Sequence, residues 1–309
     1  MSARYEELIG SFSGPVIPLP TPFDQDYNVD YASLDAYVRF LVDGGIPAVM
    51  TTVGTSRFNL LSVDEMLKIN ETVVAAAEGK TRTIVSTPMS GSTRQCIEFG
   101  KHAEKIGADI LLIYHPERHY GEEALFEFFN TIAAELNIAL MIHEMPMRNG
   151  VGGGSVQYSI PLLQRLLDIP SLVGMKEEAL DPPYSDAIVK ATSDRAIIVG
   201  AGGGMSRYLR DYWNGARAFL GGIGNFYPKL ELDFFAAMQN QDFKQAHEIV
   251  YNIEKPYFSQ VVPMGWHIAL KEALHIKGFM PPYERPPLRR VFPEQRETIK
   301  SLLQSNGWL

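Results

Sequence analysis

The chain has 309 residues but a single cysteine, Cys96, so no disulfide can form within it. That thiol sits in Gln95-Cys96-Ile97-Glu98-Phe99, a helical context with no histidine beside it, and reads as a core residue rather than a nucleophile. Basic runs are also missing. No stretch of Lys or Arg exceeds a pair such as Arg289-Arg290, and the formal net charge is -8, which excludes nucleic acid as the main partner. No apolar run approaches the 18 residues of a membrane span, and Met1 to Gly14 lacks the apolar core with basic flanks of a targeting segment. A cytoplasmic protein without a membrane partner is the expectation. What is present in quantity is core material: 46% hydrophobic and 21% charged residues, the balance of a soluble globular protein.

Short apolar or β-branched runs alternate with long amphipathic stretches, which is the signature of repeated βα units. The expected strands are Pro15–Leu19, Ala48–Thr52, Thr83–Ser86, Ile110–Ile113, Ile138–Ile142, Leu172–Lys176, Ala196–Gly200 and Ala218–Gly221. Eight such strands close a parallel barrel. Between them, Ser33–Asp43 places Leu34, Tyr37, Val38 and Leu41 on one helical face before Gly44-Gly45, and Ser62–Ala77 opens with a Ser62/Glu65 capping box. A joint of helix, glycine, small residue or proline and strand recurs at Gly44–Pro47, Gly107-Ala108 and Gly215-Ala216. The fold class is therefore an α/β chain forming a (β/α)8 barrel over residues 1–225. Residues 226–309 form a C-terminal helical extension packed on the barrel, with helices near Lys229–Gln239, Asp242–Asn252, Val262–Lys277 and Pro293–Gln304.

Barrels of this kind carry their chemistry at the C-terminal ends of the strands. Lys176 ends the sixth strand, after Ser171-Leu172-Val173-Gly174-Met175. A lysine in such a place loses hydration, which disfavours its ammonium form, and a neutral amine can form a Schiff base with a carbonyl. At an ordinary pKa near 10.4 only about one lysine in 2,500 is neutral at pH 7, so burial matters. His143 ends the neighbouring fifth strand, and strands lie about 4.8 Å apart, so nucleophile and proton carrier can act on one molecule. After the second strand, Gly54-Thr55-Ser56 forms a turn able to aim N–H groups at an anion. Gly200–Gly204 and Gly221–Gly224 follow strands seven and eight, where many barrels hold phosphate, which leaves a phosphorylated sugar open as substrate. His115, Glu117 and His119 have metal-ligand types, but no other strand offers a further ligand, and no metal is assigned.

From Gly14 to about Leu303 the chain resembles the dihydrodipicolinate synthase / N-acetylneuraminate lyase family of class I aldolase-type barrels. The resemblance rests on Pro18-Leu19-Pro20-Thr21-Pro22-Phe23, Gly54-Thr55-Ser56, Pro146-Met147-Arg148-Asn149-Gly150, Gly174-Met175-Lys176-Glu177 and Gly221–Pro228. It implies that Lys176 is the Schiff-base lysine, that Thr55 and Ser56 hold the carboxylate of a 2-keto acid, and that Arg148 faces the rest of the substrate. It also implies a homo-oligomer, a tetramer or a dimer, and requires no cofactor or metal.

Departures are visible too. Arg57-Phe58 stands where the family continues its turn with Gly-Glu, and His143 stands where it places a proton-shuttling tyrosine. A second tyrosine, lent across a dimer interface, has no counterpart at Glu117 or Arg118, although Tyr120 is close. The stretch Gly224–Pro228 followed by Leu230–Met238 resembles dehydratases of 2-keto-3-deoxy sugar acids. The expected activity is a Schiff-base lyase, aldolase or dehydratase, acting on such an acid or on a pyruvate-derived substrate. His143 is its proton carrier, and Gly54, Thr55, Ser56, Arg57, Arg148, Gly222 and Ile223 contact the substrate, with a surface salt bridge as the alternative for Arg57. A condensing synthase, a phosphate-binding barrel and a keto-acid sensor without turnover are the alternatives.

Overall fold

Every expected strand forms in the computed structural model, which describes residues 3–89, 91–116, 118–145, 147–148 and 155–309, with backbone only at 147, 148 and 155. The barrel strands are β1 (Gly14–Pro18), β2 (Ala48–Met50), β3 (Arg82–Ser86), β4 (Ile110–Tyr114), β5 (Ala139–Glu144), β6 (Leu172–Glu177), β7 (Ile197–Gly200) and β8 (Ala218–Leu220). They close into a barrel in the order β1-β8-β7-β6-β5-β4-β3-β2. Parallel strands covered on both faces read as continuous apolar runs, and all five residues of β4 and all six of β5 and of β6 are buried.

Where the strand ends differ from expectation, side chains account for it. β5 and β6 run on to Glu144 and Glu177 because the parallel register continues through polar residues, pairing His143 with Lys176 and Glu144 with Glu177. β2 stops at Met50 because Thr52 takes a left-handed conformation, φ 55°, with its hydroxyl 3.0 Å from Asn70 Oδ1. The Ser62/Glu65 box forms reciprocally, at 3.2 and 2.9 Å. Gly107 and Gly215 adopt positive φ at the helix ends, the conformation that makes glycine the residue of choice there.

The chain falls into two compact units, Met1–Val16 with Arg82–Leu220 and Ile17–Thr81 with Gly221–Leu309. In the second, the C-terminal helices are Pro228–Gln239, Phe243–Ile249, Lys255–Val261, Trp266–Ile276 and Pro293–Ser305. Helix continues between the expected second and third members through a π turn, Val250–Glu254, that ends two residues before Pro256. Proline cannot donate to the ladder, and here it stands where the hydrogen-bond pattern is already offset. Cys96 is buried in the helix Thr93–Ile106, and burial pushes its thiol up to about 11, which suits a core residue.

Candidate active site

In the first unit the C-terminal ends of β4, β5 and β6 lie side by side. Register aligns Tyr114 of β4, His143 of β5 and Lys176 of β6 in one row. Because side chains alternate along a strand, these three share a face and Glu144 and Glu177 share the other. Lys176 and His143 are 3% and 4% exposed. Lys176 Nζ lies 2.7 Å from His143 Nε2, as the sequence pairing expected. The Tyr114 and His143 rings meet edge to face, with centroids 4.8 Å apart.

Glu178 completes the cluster, and the sequence reading gave it no role. Its carboxylate oxygen Oε2 is 2.8 Å from His143 Nε2 and in direct contact with Lys176 Nζ. The signal was available: Glu178 is two residues beyond Lys176, hence on the same face as long as the chain stays extended. The Glu178 N–H does continue the ladder, donating to the Glu144 carbonyl at 2.8 Å.

Burial sets the electrostatics. It lowers the pKa of Lys176, against the pull of Glu178, and it lowers His143 to about 4, assisted by the Lys176 charge. The imidazole is therefore neutral at neutral pH. Burial alone would raise Glu178, but Lys176 and His143 outweigh it and hold the carboxylate well below its usual range. The arrangement offers a desolvated amine, a neutral imidazole and an ionised carboxylate in mutual contact, a set suited to nucleophilic attack on a carbonyl with proton transfer close by.

On the outer face, Glu177 anchors the strand. Its Oε1 accepts from the Ala179 N–H at 2.8 Å and the Ser185 hydroxyl at 3.1 Å, while its other oxygen meets Arg207. Arg207 in turn pairs with Asp211 at 2.8 Å and contacts the Ala201 carbonyl. The glycine loop after β7 is thus packed onto an internal ion network. Beside it, burial lifts Glu144 to about 7, with the Tyr184 hydroxyl 3.1 Å from its Oε1.

The second unit contains the Gly54–Ser56 turn, a single 3-10 turn in which Thr55 and Ser56 are buried. Ser56 Oγ donates to the Leu19 carbonyl at 2.6 Å, and Thr21 Oγ1 donates to the Ser56 carbonyl at 2.6 Å. Arg57 corrects the expectation of a substrate-facing or surface guanidinium. It is 1% exposed and bonds Glu284 at 2.5 and 3.1 Å, the Thr55 carbonyl at 2.5 Å and the His267 carbonyl at 2.8 Å. Four of its five N–H groups are used inside the protein. Arg57 also takes the left-handed conformation, φ 64°, that a glycine would occupy without strain.

Gly222 and Ile223 lie at the start of the loop after β8. The N–H groups of Gly222 and Gly224 donate to Glu231 Oε1 at 2.7 and 2.9 Å, and a Cβ at Gly224 would lie 2.6 Å from Glu231 Oε2. The anion nest considered for phosphate is filled by a carboxylate of the chain itself, and Ile223 is fully buried. Arg148 lies in a two-residue ribbon, pairing with Ser155, and its side chain falls outside the described residues, as do Glu117, Pro146, Asn149 and Gly150.

Comparison with known proteins agrees with this architecture. The model of the dihydrodipicolinate synthetase family matches residues 11–306. The chain belongs to this family. An uncharacterized DapA-like lyase of Thermococcus kodakarensis is 27% identical over 302 residues, covering 94% of this chain and 98% of that protein. The 4-hydroxy-tetrahydrodipicolinate synthase of Aquifex aeolicus is 27% identical over 300 residues, covering 95% and 97%. Among solved structures, dihydrodipicolinate synthase from Aquifex aeolicus superposes with a TM-score of 0.84 at 25% identity, over 96% of this chain and 99% of that one. N-acetylneuraminate lyase from Fusobacterium nucleatum shares the fold, with a TM-score of 0.85 at 20% identity over 95% and 98%. Membership places the chain among aldolase-type lyases and synthases of the Schiff-base class. No helix among the described residues is long and apolar enough to cross a membrane.

Proposed function

We propose that the chain is a Schiff-base-forming lyase, an aldolase or dehydratase, acting on a 2-keto acid such as a 2-keto-3-deoxy sugar acid or a pyruvate-derived substrate. The observation that carries this reading is the buried Lys176 amine 2.7 Å from a neutral His143. Lys176 attacks the carbonyl carbon, water leaves, and the resulting iminium draws electrons from the adjacent carbon, from which a proton, hydroxide or carbon fragment departs. His143 carries the proton. A carboxylate goes to the N–H groups of Gly54 and Thr55, which open the Gly54–Ser56 turn, while the Ser56 N–H donates to the Val53 carbonyl at 2.9 Å. Arg148 contributes to substrate binding, and the working form is a homo-oligomer, to be checked by light scattering.

Borohydride treatment in the presence of pyruvate or 2-keto-3-deoxy sugar acids, followed by mass spectrometry, tests the central step. The expected result is a reduced adduct on Lys176 with at least one acid. No adduct with any of them removes the Schiff-base reading, whereas an adduct without turnover identifies a keto-acid sensor.

A further inference from the structure

Three titratable atoms meet at one point: Lys176 Nζ, His143 Nε2 and Glu178 Oε2 each lie within hydrogen-bond reach of the other two. Every such contact needs one donor and one acceptor, and no fixed set of protons satisfies all three sides of the triangle. If Nε2 carries hydrogen and donates to Glu178, it has no lone pair for the Lys176 ammonium. If Nε2 accepts from Lys176, the Glu178 contact lacks a proton unless the carboxyl supplies it. A proton leaving any one member therefore finds an acceptor on another within hydrogen-bond reach. The members also differ in access to water: the side chains of Lys176 and His143 are 4% and 5% exposed, and that of Glu178 is 33% exposed.

We propose that Glu178 is a catalytic residue, the proton acceptor and donor for Schiff-base formation at Lys176 and the cluster's link to solvent. This rests on the Schiff-base reading above and assigns its proton steps. The Glu178 carboxylate takes one proton from the Lys176 ammonium, freeing the lone pair that forms the N–C bond as the carbonyl π electrons move to oxygen. A second N–H proton passes to that oxygen through His143, giving a neutral carbinolamine. The Glu178 carboxylic acid then returns its proton to the hydroxyl, the C–O bond breaks, and water departs as the nitrogen lone pair forms the iminium. Ammonium plus ketone becomes iminium plus water, with no net proton exchanged.

The test follows the rate of adduct formation on Lys176 by quenching into borohydride at successive times and pH values, using the keto acid that labels the unmodified protein. In Glu178→Gln the maximal rate is expected to fall about 10²-fold or more. The acidic limb of its pH profile should move to lower pH, because the carboxylate that favoured the ammonium form is gone. In Glu178→Ala, formate should restore the rate in a saturable manner. Circular dichroism checks the fold of both variants. A Glu178→Gln rate and limb matching the unmodified protein, or a slow Glu178→Ala indifferent to formate, overturns the role of Glu178 while leaving Lys176 as the nucleophile. Absence of any adduct in the unmodified protein overturns the Schiff-base reading and this inference with it.

Discussion

Glutamine in place of Glu284 isolates the ion pair that holds Arg57 in the turn after β2. Both side chains are 1% exposed, so the guanidinium has no water to turn to when its counter-charge is removed. Breaking one partner of a buried pair costs about 3–5 kcal/mol. Glutamine keeps one acceptor, which places Glu284→Gln near the lower limit. At about 2.1 cal/mol/K of unfolding entropy per residue, a loss of about 3 kcal/mol lowers Tm by about 5 °C. Arg57 adds a second quantity, since a non-glycine residue in the left-handed region costs about 1–2 kcal/mol. The double variant Arg57→Gly/Glu284→Gln removes the unpaired cation and that strain together. It is therefore expected to be more stable than Glu284→Gln alone by about 2 kcal/mol, and with Arg57→Gly as the remaining corner a double-mutant cycle gives the coupling of the pair. Urea unfolding followed by circular dichroism measures all four proteins. A Glu284→Gln variant within about 1 kcal/mol of the unmodified protein, or a double variant less stable than the single, would refute the argument.

Two further perturbations test other parts of the reading. Burial pushes the Lys271 ammonium down to about 7 despite nearby Glu284, with its Nζ bonded to the Thr21 carbonyl at 2.5 Å. Between pH 7 and about 10 the unfolded chain retains a proton that the folded chain has released, so this group makes stability rise with pH there, and below pH 7 its contribution is constant. Lys271→Met should lack that rise, and a stability difference between the two proteins that stays flat from pH 7 to 10 would count against it. His143→Phe should still form the borohydride adduct on Lys176, though more slowly, and lose turnover by about 10²–10⁴-fold; undiminished consumption of keto acid would take His143 out of the mechanism.

The strands were legible because their information is local. Ile110–Tyr114 and Leu172–Lys176 are short apolar runs between turn signals, and the Ser62/Glu65 cap lies within one helical turn. The lysine ending the sixth strand and the histidine ending the fifth could be paired from strand order alone, since adjacent parallel strands bring equivalent ends together. Loop geometry was less legible. Gly222 and Gly224 read equally well as a ligand cradle, because nothing in a glycine run specifies which anion its N–H groups will meet.

What the sequence by itself determined, then, was the order of elements, the eight-fold alternation and the placement of Lys176 and His143, each encoded within a few residues or in the count of repeats. Tertiary structure alone decided what fills the spaces between distant segments. Arg57 finds its carboxylate 227 positions away at Glu284, Glu231 occupies the glycine nest, and Glu178 turns its carboxylate onto both Lys176 and His143. Charges withdrawn from water must be matched inside the protein. Which partner matches them depends on packing between segments far apart in the chain, and no local pattern records it.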